Sequence, residues 1–248
     1  MDPASPAILL PARRAATRLP DKLLLATTGK AVVVHACERA AEAFGPQQVI
    51  VCVDDDELAA VVEAAGFTAM RTRPDHQSGT DRIAEVAAGL SNELIINVQA
   101  DEPEMDPEHI RTVAGLLTQH ADCGMATLAV PAQPGEDLDP NAVKVVLGHT
   151  GKALYFTRAP CPWDRDAGGA GKCLRHLGIY AYRRDILLGY HALPASALEA
   201  SEKLEQLRAL EAGIGIAVAV VDAAPPGVDV QADYDAFVTR WRTQQGVY

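Results

Sequence analysis

Leu94-Ile95-Ile96-Asn97-Val98-Gln99-Ala100-Asp101-Glu102-Pro103 is the stretch whose reading decides the fold. An apolar run closed by two acids and a proline reads as a short buried strand that delivers carboxylates to its C-terminal end. In open α/β sheets, that end of the strands is where ligands bind. A carboxylate there is placed to hold a divalent metal against a phosphate.

Outward from this strand, strand and helix signals alternate. Before it, the pattern predicts strands at 7–10, 48–53 and 68–70, with helices at 32–43, 56–65 and 80–88. Asp55 or Asp56 caps the second helix, and Gly66 ends it. After it, strands are expected at 124–131, 143–147, 152–157, 176–182 and 214–221, and helices at 199–212 and 231–242. Gly148-His149-Thr150-Gly151 is the turn of a hairpin, and the Pro-, Gly- and Asp-rich segment 160–172 is a loop. The expected fold is a single α/β domain. Its sheet is mostly parallel, with helices on both faces and an antiparallel subregion.

Composition sets outer limits. A chain of 248 residues, 48% of them hydrophobic, can bury one large core. Aromatics are only 5%, so aliphatic side chains must fill it. A formal net charge of −11 leaves no basic footprint for nucleic acid. Cys37, Cys52, Cys123, Cys161 and Cys173 are odd in number, and no two stand at C-x-x-C spacing. That pattern predicts free thiols in a reducing compartment and no zinc site, with Cys37 and Cys52 buried. The run Ala7–Leu10 is too short for a signal peptide, and no 18-residue apolar run could span a membrane. A soluble, cytoplasmic protein is expected.

Three segments carry chemistry. The loop Pro11-Ala12-Arg13-Arg14-Ala15-Ala16-Thr17-Arg18-Leu19-Pro20-Asp21-Lys22 puts three arginines and a lysine after the first strand. It suits a triphosphate, or stands as a solvated basic surface; without glycine it is neither a Walker A loop nor a dinucleotide fingerprint. In Arg71–Arg82, Ser78 or Thr80 can cap the next helix, and the polar loop can read a base edge or simply enter that helix. His76 has no partner at ligand spacing. Asp229 is a second acid beyond a strand: with Asp101 it makes a magnesium site, or alone it caps a helix.

Together with Met125–Pro131, Pro140–Val146, Ala153–Ala159, Pro162–Asp166, Arg175–Tyr180 and Leu204–Arg208, these segments resemble the CMP-Kdo synthetases, the 3-deoxy-manno-octulosonate cytidylyltransferases. The likeness covers nearly the whole chain. It implies a Rossmann-like nucleotidyltransferase domain over 1–248, with a nucleotide-binding part at about 1–130 and a sugar-binding and dimerisation part at about 131–225. It further implies transfer of CMP from CTP to the anomeric hydroxyl of Kdo, releasing pyrophosphate for lipopolysaccharide biosynthesis. By the same likeness, Pro11, Ala12, Arg13, Lys22, Arg73, His76, Ser78, Gly79, Thr80 and Gln99 bind the nucleotide, with Arg13 and Lys22 clamping phosphates. Asp101 and Asp229 hold Mg2+. Arg158 pairs with the sugar carboxylate, its fork matching that anion. His176, Tyr180, Glu205 and Gln206 take the sugar hydroxyls, and the chain forms a homodimer.

Five positions depart from the family pattern. Ala16 replaces a serine, Asp21 and Ala100 replace glycines, and Val230-Gln231 replaces Pro-Thr after the second acid. Asp21 is expected to point away from the triphosphate. Ala100 costs on the order of 1 kcal/mol if its φ is positive, and otherwise trims the pocket by one methyl. These changes motivate two other readings: a cytidylyltransferase for 8-amino-Kdo or a nonulosonic acid, and a weakened nucleotide-binding paralogue.

Overall fold

Runs of β-branched and aliphatic residues between capped amphipathic segments build this chain into alternating strands and helices. The computed structural model describes residues 5–15, 18–166, 168–170, 172–224 and 226–246. Ala16 lies outside them. Contacts divide the chain into two units, residues 1–111 with 225–248, and residues 112–224.

In the first unit, β1 (Ala7–Ala12) leads through α1 (Val32–Phe44) to β2 (Val49–Val53). α2 (Asp56–Ala64) follows, then β3 (Thr68–Arg71), α3 (Gly79–Ala88) and β4 (Leu94–Asn97); the next helix, α4 (Pro107–Gln119), begins in the first unit and ends in the second. The strands lie parallel in the order β3-β2-β1-β4. Every residue of β2 is buried, so both faces of this strand are covered, as parallel sheets require. Ile8, Leu9, Leu10, Val49, Val51, Ile95 and Ile96 are fully excluded from water. Each such aliphatic side chain contributes about 1.5–3 kcal/mol of burial. The caps follow the sequence. Asp55 accepts from the amides of Glu57 and Leu58, and Ser78 from that of Asp81.

In the second unit, β5 (Cys123–Pro131) precedes β6 (Lys144–Leu147) and β7 (Ala153–Thr157), the expected hairpin. The predicted loop at 160–172 contains a small ribbon of β8 (Trp163–Asp164) and β9 (Gly169–Ala170). β10 (Leu174–Arg183), α5 (Arg184–Gly189), α6 (Ala197–Glu202), α7 (Gln206–Glu211) and β11 (Gly215–Val220) complete it. The strand order is β11-β5-β10-β6-β7, with only β11 and β5 parallel. The chain then returns to the first unit for α8 (Gln231–Gln245).

Two expectations are corrected. The single helix at 199–212 is two short helices, because Lys203 takes a left-handed conformation (φ 55°) between them. α4 and α5 are additional. The buried spacing Ile110, Val113, Ala114, Leu117 is the signal that marks α4. All five cysteines are free thiols, and Cys37 and Cys52 are buried. Among the described residues no helix is long and apolar enough to cross a membrane.

Candidate active site

The order β3-β2-β1-β4 places a topological switch point between β1 and β4, where consecutive connections leave in opposite directions. The crevice outside the carboxyl ends of such a strand pair is where doubly wound sheets bind ligands. The loop after β1 and the turn after β4 both line a cavity of about 300 Å3 there. Pro11, Arg13, Arg18 and Lys22 come from the first, and Gln99, Ala100 and Asp101 from the second. Asp229 closes it, and His76, Ser78, Gly79 and Arg82 bring the first turn of α3 to its wall. A helix N-terminus offers unpaired amides to an anion. A Cβ at Gly79 would stand 3.2 Å from Pro11 Cγ, a tight contact that would push on the cavity wall.

At the centre, the Lys22 ammonium bridges the two predicted metal acids. Its Nζ lies 2.5 Å from Asp101 Oδ2, 3.1 Å from Asp229 Oδ1 and 3.2 Å from the Val228 carbonyl. Burial pulls the lysine pKa down, but the charges and hydrogen bonds of the two carboxylates outweigh it and hold it above its ordinary value. Arg18 reaches Asp229 at 3.4 Å. The Val228 amide donates to the Asp101 carbonyl at 2.8 Å, which ties the two acid-bearing segments together. Asp233 accepts from the amides of Asp229 and Val230, both at 3.0 Å. It thereby supplies the cap that Val230 cannot.

The departures sort cleanly. Ala100 has no positive φ; it is buried in the cavity wall, so its effect is one methyl of volume. The left-handed residue is Asp21 (φ 52°), a conformation glycine adopts freely and Asp tolerates. Its carboxylate turns to Arg14 at 3.0 Å and lines a neighbouring hollow, not this cavity. Arg14 is also held by Asp55 and Glu57, and so is not a cavity cation.

Three predicted nucleotide residues do not line the cavity. Ala12 is fully buried within β1, and Thr80 is buried in α3. Arg73 is exposed beside Asp75 and Glu85. His76 lines the cavity with its Nε2 on Glu85, whose pKa burial raises but His76 and the Arg73 amide pull below its usual value. Two further residues belong to this frame. Buried Arg82 donates to Asp54 at 3.0 Å and to Thr72 at 2.5 Å, and Asp54 also accepts the Arg14 amide at 3.1 Å. Asp54 therefore fastens the β1 loop to α3. Its signal in the sequence is an acid at the end of a strand, the same signal as Asp101.

The predicted sugar residues lie in the second unit. Arg158 is locked at the end of β7: Nε donates to the Glu202 carbonyl at 2.7 Å and Nη1 to the Pro140 carbonyl at 2.8 Å. The Glu202 carboxylate takes the Arg158 amide at 2.9 Å and the Thr157 hydroxyl at 2.6 Å. Lys144, fully buried, donates to the carbonyls of Asp139 and Arg158, both at 2.8 Å. His176 packs edge-on to Phe156 at 5.1 Å and beside Tyr180 at 5.2 Å. Burial, aided by the charge of Arg175, pushes the His176 pKa down to about 3, so its ring is neutral. Glu205 starts α7 and Gln206 is buried; the Glu205 carbonyl accepts the Tyr190 hydroxyl at 2.7 Å. Thr127, unnoticed in the sequence, is a buried hydroxyl in an otherwise apolar β5 and bonds His176 at 2.9 Å.

Another group, His120, Asp122 and Cys123, brings one ligand atom each within 4.8 Å. Asp122 is engaged by Lys152, however, and burial holds the Cys123 thiol above its ordinary pKa.

Comparison with known proteins agrees with this geometry. A family model described as cytidylyltransferase matches residues 7–216. A 3-deoxy-manno-octulosonate cytidylyltransferase of Rhodopirellula baltica is 47% identical over 96% of this chain and 98% of its own. One of Methylococcus capsulatus is 47% identical over 94% and 95%. The structure of a CMP:2-keto-3-deoxy-manno-octonic acid synthetase complexed with CTP superposes with a TM-score of 0.92 at 39% identity, covering 97% of this chain and all of that one. A cytidylyltransferase of Leptospira borgpetersenii, 13% identical with a TM-score of 0.63 over 95% of this chain and 86% of its own, shares the fold alone. A mixed α/β chain that carries these motifs in order and matches such relatives end to end belongs to the 3-deoxy-manno-octulosonate cytidylyltransferase family.

Proposed function

We propose that this chain transfers CMP from CTP to Kdo, giving CMP-Kdo and pyrophosphate. The observation that carries the reading is the cavity at the β1/β4 switch point, where the carboxylates of Asp101, after β4, and Asp229, before α8, converge on one cation. The reaction needs in-line placement and charge neutralisation more than covalent help. Arg13 and Lys22 hold the triphosphate, and Gln99 with the 76–79 loop holds the cytidine. Arg158, pre-set by backbone carbonyls, pairs with the sugar carboxylate, and His176, Tyr180, Glu205 and Gln206 orient its hydroxyls.

The acid pair fits Mg2+, a hard cation that takes carboxylate oxygens, since Asp101 and Asp229 already share the Lys22 ammonium. When bound there, Mg2+ neutralises phosphate charge and lowers the pKa of the attacking sugar hydroxyl. A homodimer and a cytoplasmic location belong to the same proposal. Exposed Leu138, Leu154 and Trp163 in the second unit offer apolar surface to a second copy, and a two-chain mass by light scattering is expected.

Pyrophosphate release with CTP, Mg2+ and a panel of acidic sugars tests the function. Turnover is expected with Kdo above 8-amino-Kdo and nonulosonic acids. Faster turnover of another sugar, or tight CTP binding without turnover, would overturn it.

A further inference from the structure

β10 and β5 lose register between Leu177 and Tyr180, so Gly178 and Ile179 bulge out of the ladder. Bulges re-aim side chains beside functional sites, and His176 and Tyr180 flank this one. The Thr127 hydroxyl reaches two carbonyls of the bulge. Its Oγ1 lies 2.7 Å from the Ile179 oxygen and 3.1 Å from the Leu177 oxygen. The same Oγ1 lies 2.9 Å from His176 Nε2.

A hydroxyl has one proton, and a carbonyl can only accept. The Thr127 proton therefore goes to the bulge carbonyls. The Oγ1 lone pair is left for the ring, so Nε2 must be the donor. We propose that Thr127 is a positioning residue that fixes His176 as the Nε2–H tautomer, leaving Nδ1 as a lone-pair acceptor for a hydroxyl of the sugar substrate. The backbone at this position is held as well, since the His176 amide donates to the Val143 carbonyl at 2.8 Å. Phe156 and Tyr180 pack against it and oppose rotation. Burial keeps it uncharged, which preserves the lone pair at neutral pH. The chemistry selected at Nδ1 is a donor, an O–H; an ether or a carbonyl at the same place would leave Nδ1 unpaired.

The tautomer stands on the geometry of this unit alone, whereas the role of Nδ1 rests on the proposed sugar site. Two measurements separate them. Nitrogen-15 NMR of histidine-labelled protein without substrate, with His176 assigned by the signal lost in His176→Gln, should show Nε2 protonated and Nδ1 bare. A protonated Nδ1 in the wild type overturns the proposal whatever the function. In kinetics, Thr127→Val should raise KM for the sugar about tenfold with KM for CTP unchanged, while Thr127→Ser, which keeps the hydroxyl, should restore both the wild-type spectrum and KM. The expected tautomer with an unchanged sugar KM in Thr127→Val would remove the Nδ1 role. Should Thr127→Val fail to fold, the wild-type spectrum still decides the tautomer, and Thr127→Ala, which also removes the hydroxyl, takes its place in the kinetic test.

Discussion

In the first unit, Lys22 is fixed by two carboxylates. In the second, Arg158 is fixed by the carbonyls of Glu202 and Pro140, and His176 by a hydroxyl. One region holds its functional groups with formal charge, the other with neutral dipoles. Charges facing each other can be exchanged for the charges of a ligand, so the first arrangement suits a triphosphate and its cation. Carbonyl partners hold the Arg158 fork in place and keep a fixed pattern of donors and acceptors, which suits discrimination among sugars.

The contrast breaks first at Asp101. Asp101→Ala should lower kcat on the order of 10²–10³-fold in a pyrophosphate-release assay. A rate close to wild type would show that the charged centre is only structural. Arg158→Ala should raise KM for the sugar about 10–100-fold and leave KM for CTP alone, as expected for loss of a charge-assisted pair. A parallel rise in both constants would erase the division between the regions.

Acidity should sharpen it. His176 is neutral in the fold, with its pKa near 3 against an ordinary value of about 6.5. The unfolded chain takes that proton first. Stability from the neutral ring is therefore complete above about pH 6.5 and is lost as pH falls toward the folded value. His35 and His109, also lowered chiefly by burial, act in the same direction. Thermal melts should fall through this window, and less steeply in His176→Gln. The smallest effect is expected at Lys203. Lys203→Gly, at φ 55°, should leave melting unchanged or raise stability by up to about 1 kcal/mol, whereas a β-branched residue there should lower it.

The first unit was the more legible in sequence, for a physical reason. β1, β2 and β4 are built on apolar runs, and Asp55 and Ser78 cap helices through amides two or three residues away. The acids after β2 and β4, Asp54 and Asp101, announce the carboxyl edge without reference to anything distant. The second unit depends on partners far along the chain. Nothing between Glu199 and Ala212 forbids one helix, yet Glu202 answers to Thr157 and Arg158, 45 and 44 residues earlier. Thr127 is equally silent locally, because its value lies in carbonyls 50 and 52 residues later. Family resemblance named Arg158 and His176, but could not show what holds them.

The cavity lining has one further consequence, through the electric field around the protein. Arg13, Arg18, Lys22 and Arg82 against Asp101 and Asp229 are four cations less two anions, a local charge of +2. The whole chain carries −11, so everything outside that lining sums to −13. A polyanion approaching from afar meets repulsion, and feels attraction only within the last few ångströms. Salt shortens the reach of both, with a screening length of about 8 Å at physiological ionic strength. Moderate salt therefore hastens the arrival of a small anion while loosening its final grip, and the acidic exterior keeps long polyphosphates and nucleic acids from competing for the same cleft.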